Sequence, residues 1–176
     1  MAKVDIKDVL SKVSYHVVYD NSILDALSFA SKNGFSGIQI AIELPHLSFE
    51  TLTGNDINKI KEVSDDLGIR ISLHAPDDAP LVHTCSPISR GVIAYYSKLI
   101  DFASAVNAER ITMHVGSPTF FPTDTIPEEL FPKRNVAAYK TAFNNNLKTL
   151  LDLAEEKIVI CVKLPTPKGV GFSSGE

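Results

Sequence analysis

Gly68-Ile69-Arg70-Ile71-Ser72-Leu73-His74-Ala75-Pro76 is the stretch from which the rest of the chain can be read. Glycine suits the left-handed position that ends a helix, so Gly68 closes one. Ile69, Ile71 and Leu73 then alternate with Arg70, Ser72 and His74, the period-two rhythm of a strand, and Pro76 stops it. One face of this strand is apolar and the other polar. A central strand of an open α/β sheet is covered by helices on both faces and tends to read as continuously apolar. A polar second face therefore favours a barrel interior whose upper end is a site, although pattern alone also admits an open doubly wound sheet.

The same phase recurs to either side. Ile111, Met113 and Val115 alternate with Thr112 and His114, and Ile38, Ile40 and Ile42 alternate with Gln39, Ala41 and Glu43. Short β-rich runs are expected at Val13 to Val18, Gly37 to Ile42, Ile69 to His74, Arg110 to Val115 and Ile158 to Val162. Between them lie helical faces. The first helix ends at Asn33-Gly34, and the second is traced by Ile57, Ile60, Val63 and Leu67. The third follows Ile93, Tyr96, Leu99, Ile100, Ala103 and Val106, and the fourth Tyr139, Phe143, Leu147, Leu150, Leu151 and Ala154. Parallel strands need crossover helices, and such crossovers are right-handed. The expected fold class is α/β: a partial (β/α)8 TIM barrel of about five parallel strands and four helices.

A complete eight-unit barrel takes about 250 residues, and the sequence has 176. Residues 1–162 are expected to form the N-terminal part of such a barrel. From Lys163 to Glu176 periodicity is lost, and 163–176 reads as an irregular tail. The Gly169-Val170-Gly171 run lacks a following helix and is not a phosphate loop. A deliberately shortened chain, a gene fragment and a changed reading frame near Lys163 would all give this ending.

An apolar fraction of 44% supports one ordinary globular domain. With 17 basic and 21 acidic residues the net charge is −4, and no Lys/Arg run supplies the footprint that most nucleic-acid binders use against phosphates. No stretch of eighteen apolar residues suggests a membrane span. Met1-Ala2-Lys3-Val4-Asp5-Ile6-Lys7-Asp8 mixes charges where a signal peptide would need a basic cluster and an apolar run, so a cytoplasmic location is expected. Cys85 and Cys161 lie far apart without CxxC spacing and read as reduced packing residues.

The strongest chemical signals are His74 and His114, each at the C-terminal end of a strand. Adjacent strands lie about 4.8 Å apart, so two histidines in matching phase at one level can converge on an ion or a substrate oxygen. The plain alternative is a pair of hydrogen-bonded residues capping a sheet. A catalytic zinc normally takes three protein ligands, so two fall short. His16, at the end of the first strand, either joins the pair or is a satisfied core histidine. Gln39 and Glu43 are candidates to line the mouth as hydrogen-bonding groups for substrate, with solvation the alternative for Glu43. Asp77-Asp78 reads either as a solvated turn or as a carboxylate orienting a ligand imidazole. Arg90, ahead of the third helical stripe, reads as solvated, and His46 and His83 as incidental loop residues.

Asn33-Gly34-Phe35-Ser36-Gly37-Ile38-Gln39-Ile40, the Gly68 to Pro76 stretch and Asn107-Ala108-Glu109-Arg110-Ile111-Thr112-Met113-His114-Val115-Gly116 come in an order and spacing that resemble a known superfamily. The chain is similar, from about Val13 to Val162, to the xylose-isomerase-like barrels of sugar phosphate isomerases and epimerases, to which the endonuclease IV type of DNA repair enzyme also belongs. The resemblance implies a divalent metal (zinc, manganese or magnesium) and proton transfer on a sugar or sugar phosphate. It makes His74 and His114 metal ligands in the endonuclease branch and substrate contacts more often in the isomerase branch; His16 and Gln39 also look somewhat like the endonuclease branch.

One departure stands out. The family's fifth strand usually ends in a glutamate that binds metal and often acts as a base, and Lys163 stands at the corresponding place. A protonated lysine has no lone pair to donate and is repelled by a divalent ion. The resemblance thus implies an isomerase/epimerase-like protein whose catalytic site is incomplete. Abasic-site DNA repair is one alternative; the other is a non-catalytic half barrel that self-associates through its sheet edges.

Overall fold

The computed structural model describes residues 6–115 and 133–163. The turn expected at Gly116-Ser117-Pro118, the Gly169-Val170-Gly171 run and the rest of the tail from residue 164 lie outside the described residues. Five strands form one parallel sheet in sequence order: β1 (Ser14–Val17), β2 (Gly37–Ala41), β3 (Arg70–His74), β4 (Arg110–His114) and β5 (Val159–Lys163). Consecutive strands pairing in sequence order is the barrel pattern, whereas a doubly wound sheet reverses its strand order at a switch point. The crossovers are α2 (Ile23–Lys32), α3 (Gly54–Leu67), α4 (Ser86–Ala105) and α5 (Lys133–Ala154). A short α1 (Ile6–Leu10) precedes β1, and a single 3-10 turn (Phe49–Thr51) lies between β2 and α3; neither has enough periodic residues to be visible in the sequence pattern.

Each crossover begins and ends for a local reason. Ser22 caps α2 by accepting from the Asp25 N–H at 3.1 Å. Thr53 and Asp56 cap α3 reciprocally, the Thr53 backbone N–H donating to the Asp56 carboxylate at 2.8 Å. Gly68 ends α3 at φ 63°, the left-handed conformation anticipated for it. Asn107 turns the chain after α4 at φ 56°, a conformation asparagine tolerates better than most. Pro87 stands in the first turn of α4, where its missing N–H costs nothing. Cys85 is the residue before that helix and is exposed, so it is not a packing residue; its side chain makes no capping bond, and the helix start is set by the proline instead.

The apolar phase of the strands faces the helices. Ile38, Ile40, Ile71, Leu73, Ile111 and Met113 are all buried and pack with Leu27, Ala30, Ile60, Tyr96, Leu99, Ile100 and Leu150 in one core. The opposite face carries Ser14, His16, Gln39, Ser72, Thr112 and Cys161, which line one polar groove of about 410 Å³. This is the interior face that the alternating pattern assigns to the polar residues. At its lower end, where the strands begin, Glu109 meets Arg70 at 3.5 Å and Arg110 at 3.3 Å. Half-exposed pairs of this kind contribute little to stability. Their charges are balanced away from the strands' C-terminal ends.

Candidate metal centre

The register of the sheet sets the heights of the three histidines. His16 pairs with Gln39, and Gln39 with Ser72. Two residues higher, Ala41 pairs with His74, His74 with Thr112, and Thr112 with Cys161. Two residues higher again, His114 pairs with Lys163. The histidines therefore share a phase but not a level: they climb diagonally, as the stagger of tilted barrel strands requires. A two-residue stagger on neighbouring strands separates Cα atoms by roughly 8 Å, yet the rings of His74 and His114 lie 5.3 Å apart, centroid to centroid. Their side chains lean toward one another on the concave face. The His16 ring stands 6.1 Å from that of His74.

The loop after β3 brings in a third donor. Ala75 N–H donates to Thr112 O at 2.8 Å, extending the pairing past His74, and Ala79 N–H donates to Pro76 O at 3.3 Å to close a turn around Asp77 and Asp78. Asp77 Oδ1 thereby comes to 3.6 Å from His114 Nε2. One ligand atom each from His74, Asp77 and His114 all fall within 4.8 Å of one another. Ligands around a tetrahedral zinc are roughly 3.4 Å apart, so the aspartate–histidine distance is near that already and the remainder needs about an ångström of closure. Asp77, at 71% exposed, is the least enclosed of the three.

His74 gives the clearest sign of an unmet demand. Its Nδ1 is buried and makes no hydrogen bond, the only such side-chain atom among the described residues. A buried polar nitrogen left unpaired costs about 1–3 kcal/mol. The nearest carboxylate oxygen, Glu43 Oε1, is 4.0 Å away, beyond hydrogen-bond range. Two imidazoles and one carboxylate form a donor set that suits a divalent ion such as zinc, and three protein ligands with a position left open are the catalytic arrangement. The residues present fit such an ion.

The other expected site residues are placed as follows. Glu43 sits in the loop after β2, its Oε1 4.0 Å from His74 Nδ1, and lines one cavity with Asp77. Gln39 lies below, where its Nε2 reaches Thr112 Oγ1 at 3.5 Å across β3 and lines the groove with His16. The histidines at positions 46 and 83 do not join the cluster, and Arg90 turns to Ser86 Oγ at the start of α4. Asp77 is the residue that sequence reasoning underrated. The signal available was the spacing His74-Ala75-Pro76-Asp77, in which a proline starts a tight turn directly after a strand-end histidine.

Beside the cluster, Glu43, Glu50, Asp77, Asp78 and Tyr95 line a cavity of about 620 Å³. Burial, with Glu50, Asp78 and Glu43 nearby, pushes the Tyr95 hydroxyl up to about 12. At neutral pH it stays a hydrogen-bond donor facing carboxylates.

Among solved structures, the chain is similar to a D-tagatose 3-epimerase-like protein at 19% identity and a TM-score of 0.63, covering 89% of this chain and 55% of that one. It is also similar to the 3-keto-D-glucoside 4-epimerase of E. coli (14%, TM-score 0.66, covering 86% and 55%). A third relative in fold is endonuclease IV from Thermus thermophilus (14%, TM-score 0.61, covering 85% and 50%). The chain spans about half the length of these structures. At such identities the likeness is one of fold. Among curated proteins, no sequence matches the chain significantly. The sequence profile of the xylose isomerase-like TIM barrel matches residues 27–173, five-sixths of the chain, and with the consecutive parallel sheet and its strand-end histidines this makes the protein a member of that family.

Proposed function

We propose that this chain carries a metal-binding sugar isomerase/epimerase-type site, in which His74, Asp77 and His114 hold a divalent ion and a sugar or sugar phosphate is bound at the C-terminal mouth of the strands. The observation that carries this reading is the convergence of one ligand atom each from His74, Asp77 and His114 within 4.8 Å of one another. The epimerases among the structures of similar fold support the substrate class. A divalent ion held by His74, Asp77 and His114 would supply Lewis-acid chemistry toward a carbonyl or hydroxyl oxygen. The chain's own residues supply the rest: Gln39 and His16 offer hydrogen bonds from the groove, and Glu43 backs His74. Proton abstraction beside a carbonyl needs a base within about 2.6–3.2 Å. Where the resemblance to the family implies a glutamate this chain has Lys163, and on this reading the proton-transfer set is incomplete and binding outlasts turnover.

The test is metal analysis of the purified chain together with proton exchange at carbon in deuterated water. Bound zinc, manganese or magnesium with slow or no exchange is the expected result. A chain that takes up none of the three ions contradicts the reading.

A second reading, cleavage at abasic sites in DNA, is favoured by one observation: three histidines climbing one face, in a fold also seen in endonuclease IV. The net charge of −4 opposes it. Incubating an abasic duplex with the zinc-loaded protein separates the two, since this reading requires a cut strand and the first does not.

A further inference from the structure

The strand pairing puts a cation in the same row as the metal cluster. His114 and Lys163 are partners across β4 and β5, two residues above Thr112 and Cys161. Thr112 and Cys161 line the inner groove with His16 and Gln39, and side chains two residues apart on a strand share a face. Lys163 is therefore on the inner face beside His114. The pairing continues to this level and beyond, because Val115 N–H donates to Lys163 O at 3.3 Å. Neighbouring strands are about 4.8 Å apart, which a four-carbon lysine stem spans.

Among the described residues, the charge inventory of this rim is uneven. The cluster offers two neutral imidazoles and one carboxylate, Asp77, so a divalent ion held there keeps a net charge of +1. Lys163 adds another. Glu43 Oε1 stands 4.0 Å from His74 Nδ1, and Asp78 lines the cavity beside the cluster. Among the described residues, no carboxylate forms an ion pair with Lys163. A ligand entering there would have the His74, Asp77 and His114 donor set on one side and the Lys163 ammonium on the other.

We infer that Lys163 is a specificity-determining residue that makes this site select oxyanions: the bound ligand carries a phosphate or carboxylate group set between the metal position and the Lys163 ammonium. This rests on the metal site proposed above and narrows its substrate class from sugars in general to anionic ones. A carboxylate at position 163 would close the site with a further protein ligand and repel such groups. The lysine instead leaves the opening and draws them in, because charge-assisted bonds to phosphate or carboxylate are the strong ones.

Cobalt-substituted full chain tests this through the visible absorption of the ion, which responds to a new ligand without any turnover. Inorganic phosphate and acetate are titrated in separate arms, with an uncharged ketose as the neutral control, against the wild type, Lys163→Met and Lys163→Arg. The wild type should bind one or both anions about tenfold more tightly than Lys163→Met, with Lys163→Arg close to wild type and the ketose response equal in all three. Lys163→Met should also bind cobalt more tightly, since a like charge is gone. Lys163 is an exposed strand-end residue, and far-UV circular dichroism verifies that the variants fold. Cobalt uptake with equal anion affinity in wild type and Lys163→Met overturns the lysine's role and leaves the metal site standing. A wild type that takes up no cobalt overturns both.

Discussion

His74 stands at the centre of the candidate site, within reach of His16, Glu43 and His114. Its ring is mostly buried at the top of β3, its Nδ1 has no partner, and Glu43 waits 4.0 Å off. Metal-bound histidines usually donate their second ring nitrogen to a carboxylate or carbonyl, and losing that partner typically weakens metal binding 10–100-fold. Glu43→Gln is therefore expected to weaken zinc binding about tenfold with the fold intact, which isothermal titration calorimetry measures; unchanged affinity would show that Glu43 only lines the outer cavity. Tyr95 yields a second expectation. Because its hydroxyl pKa is raised to about 12 in the folded protein, the folded state holds that proton more tightly than the unfolded chain does. The resulting stability is present below pH 10 and is lost as pH rises from 10 to 12. Tyr95→Phe should flatten the fall in melting temperature across that window, and identical profiles for the two proteins would refute it. His74 and His114 were legible from strand phase. Asp77 was not, because a turn carboxylate looks the same in sequence whether it faces water or an imidazole.

Strand β2 is held by what it lacks. Gly37 is buried in the row between Ser14 and Arg70, and a Cβ there would stand 2.8 Å from Arg70 O and 3.0 Å from Ser14 Oγ. The first of these neighbours is sheet backbone and has little room to retreat. Gly37→Ala is expected to destabilise the protein by about 1–3 kcal/mol through overpacking, read as a lower urea midpoint. A variant as stable as the wild type would show that the β2–β3 spacing is adjustable. At this scale the sequence was informative about strands and less so about their ends. All five predicted strands are present, with boundaries shifted by a residue or so, since the rim residues Val18, Ile42 and Val115 carry strand-like side chains but stand one residue past the ends of β1, β2 and β4. The fifth shifted the other way and runs through Lys163, which puts that residue in the sheet. The diagonal stagger of the histidines could not be read from the sequence at all. It is fixed by inter-strand register, and a period-two pattern constrains that register only to within two residues.

The five strands make a curved wall with a packed helical side and a polar inner side. Among the described residues β1 and β5 each pair on one side only. Unpaired edges are templates for further pairing, so we expect self-association through them; sedimentation velocity showing a monomer across the accessible concentration range would contradict this. No described helix is long and apolar enough to cross a membrane. The pattern of polar residues on one strand face was what distinguished barrel from open sheet, because only a barrel leaves that face uncovered by helices. The site at the strand ends, by contrast, depends on side chains from two strands and a turn meeting in space. His74, Asp77 and His114 are expected to form a centre for one divalent ion. Equilibrium dialysis of the metal-stripped chain against zinc, with bound metal counted by mass spectrometry, tests it most directly. One ion per chain in the wild type and essentially none in a folded His74→Ala/His114→Ala variant is the predicted result; equal zinc in both proteins, or none in either, would contradict it.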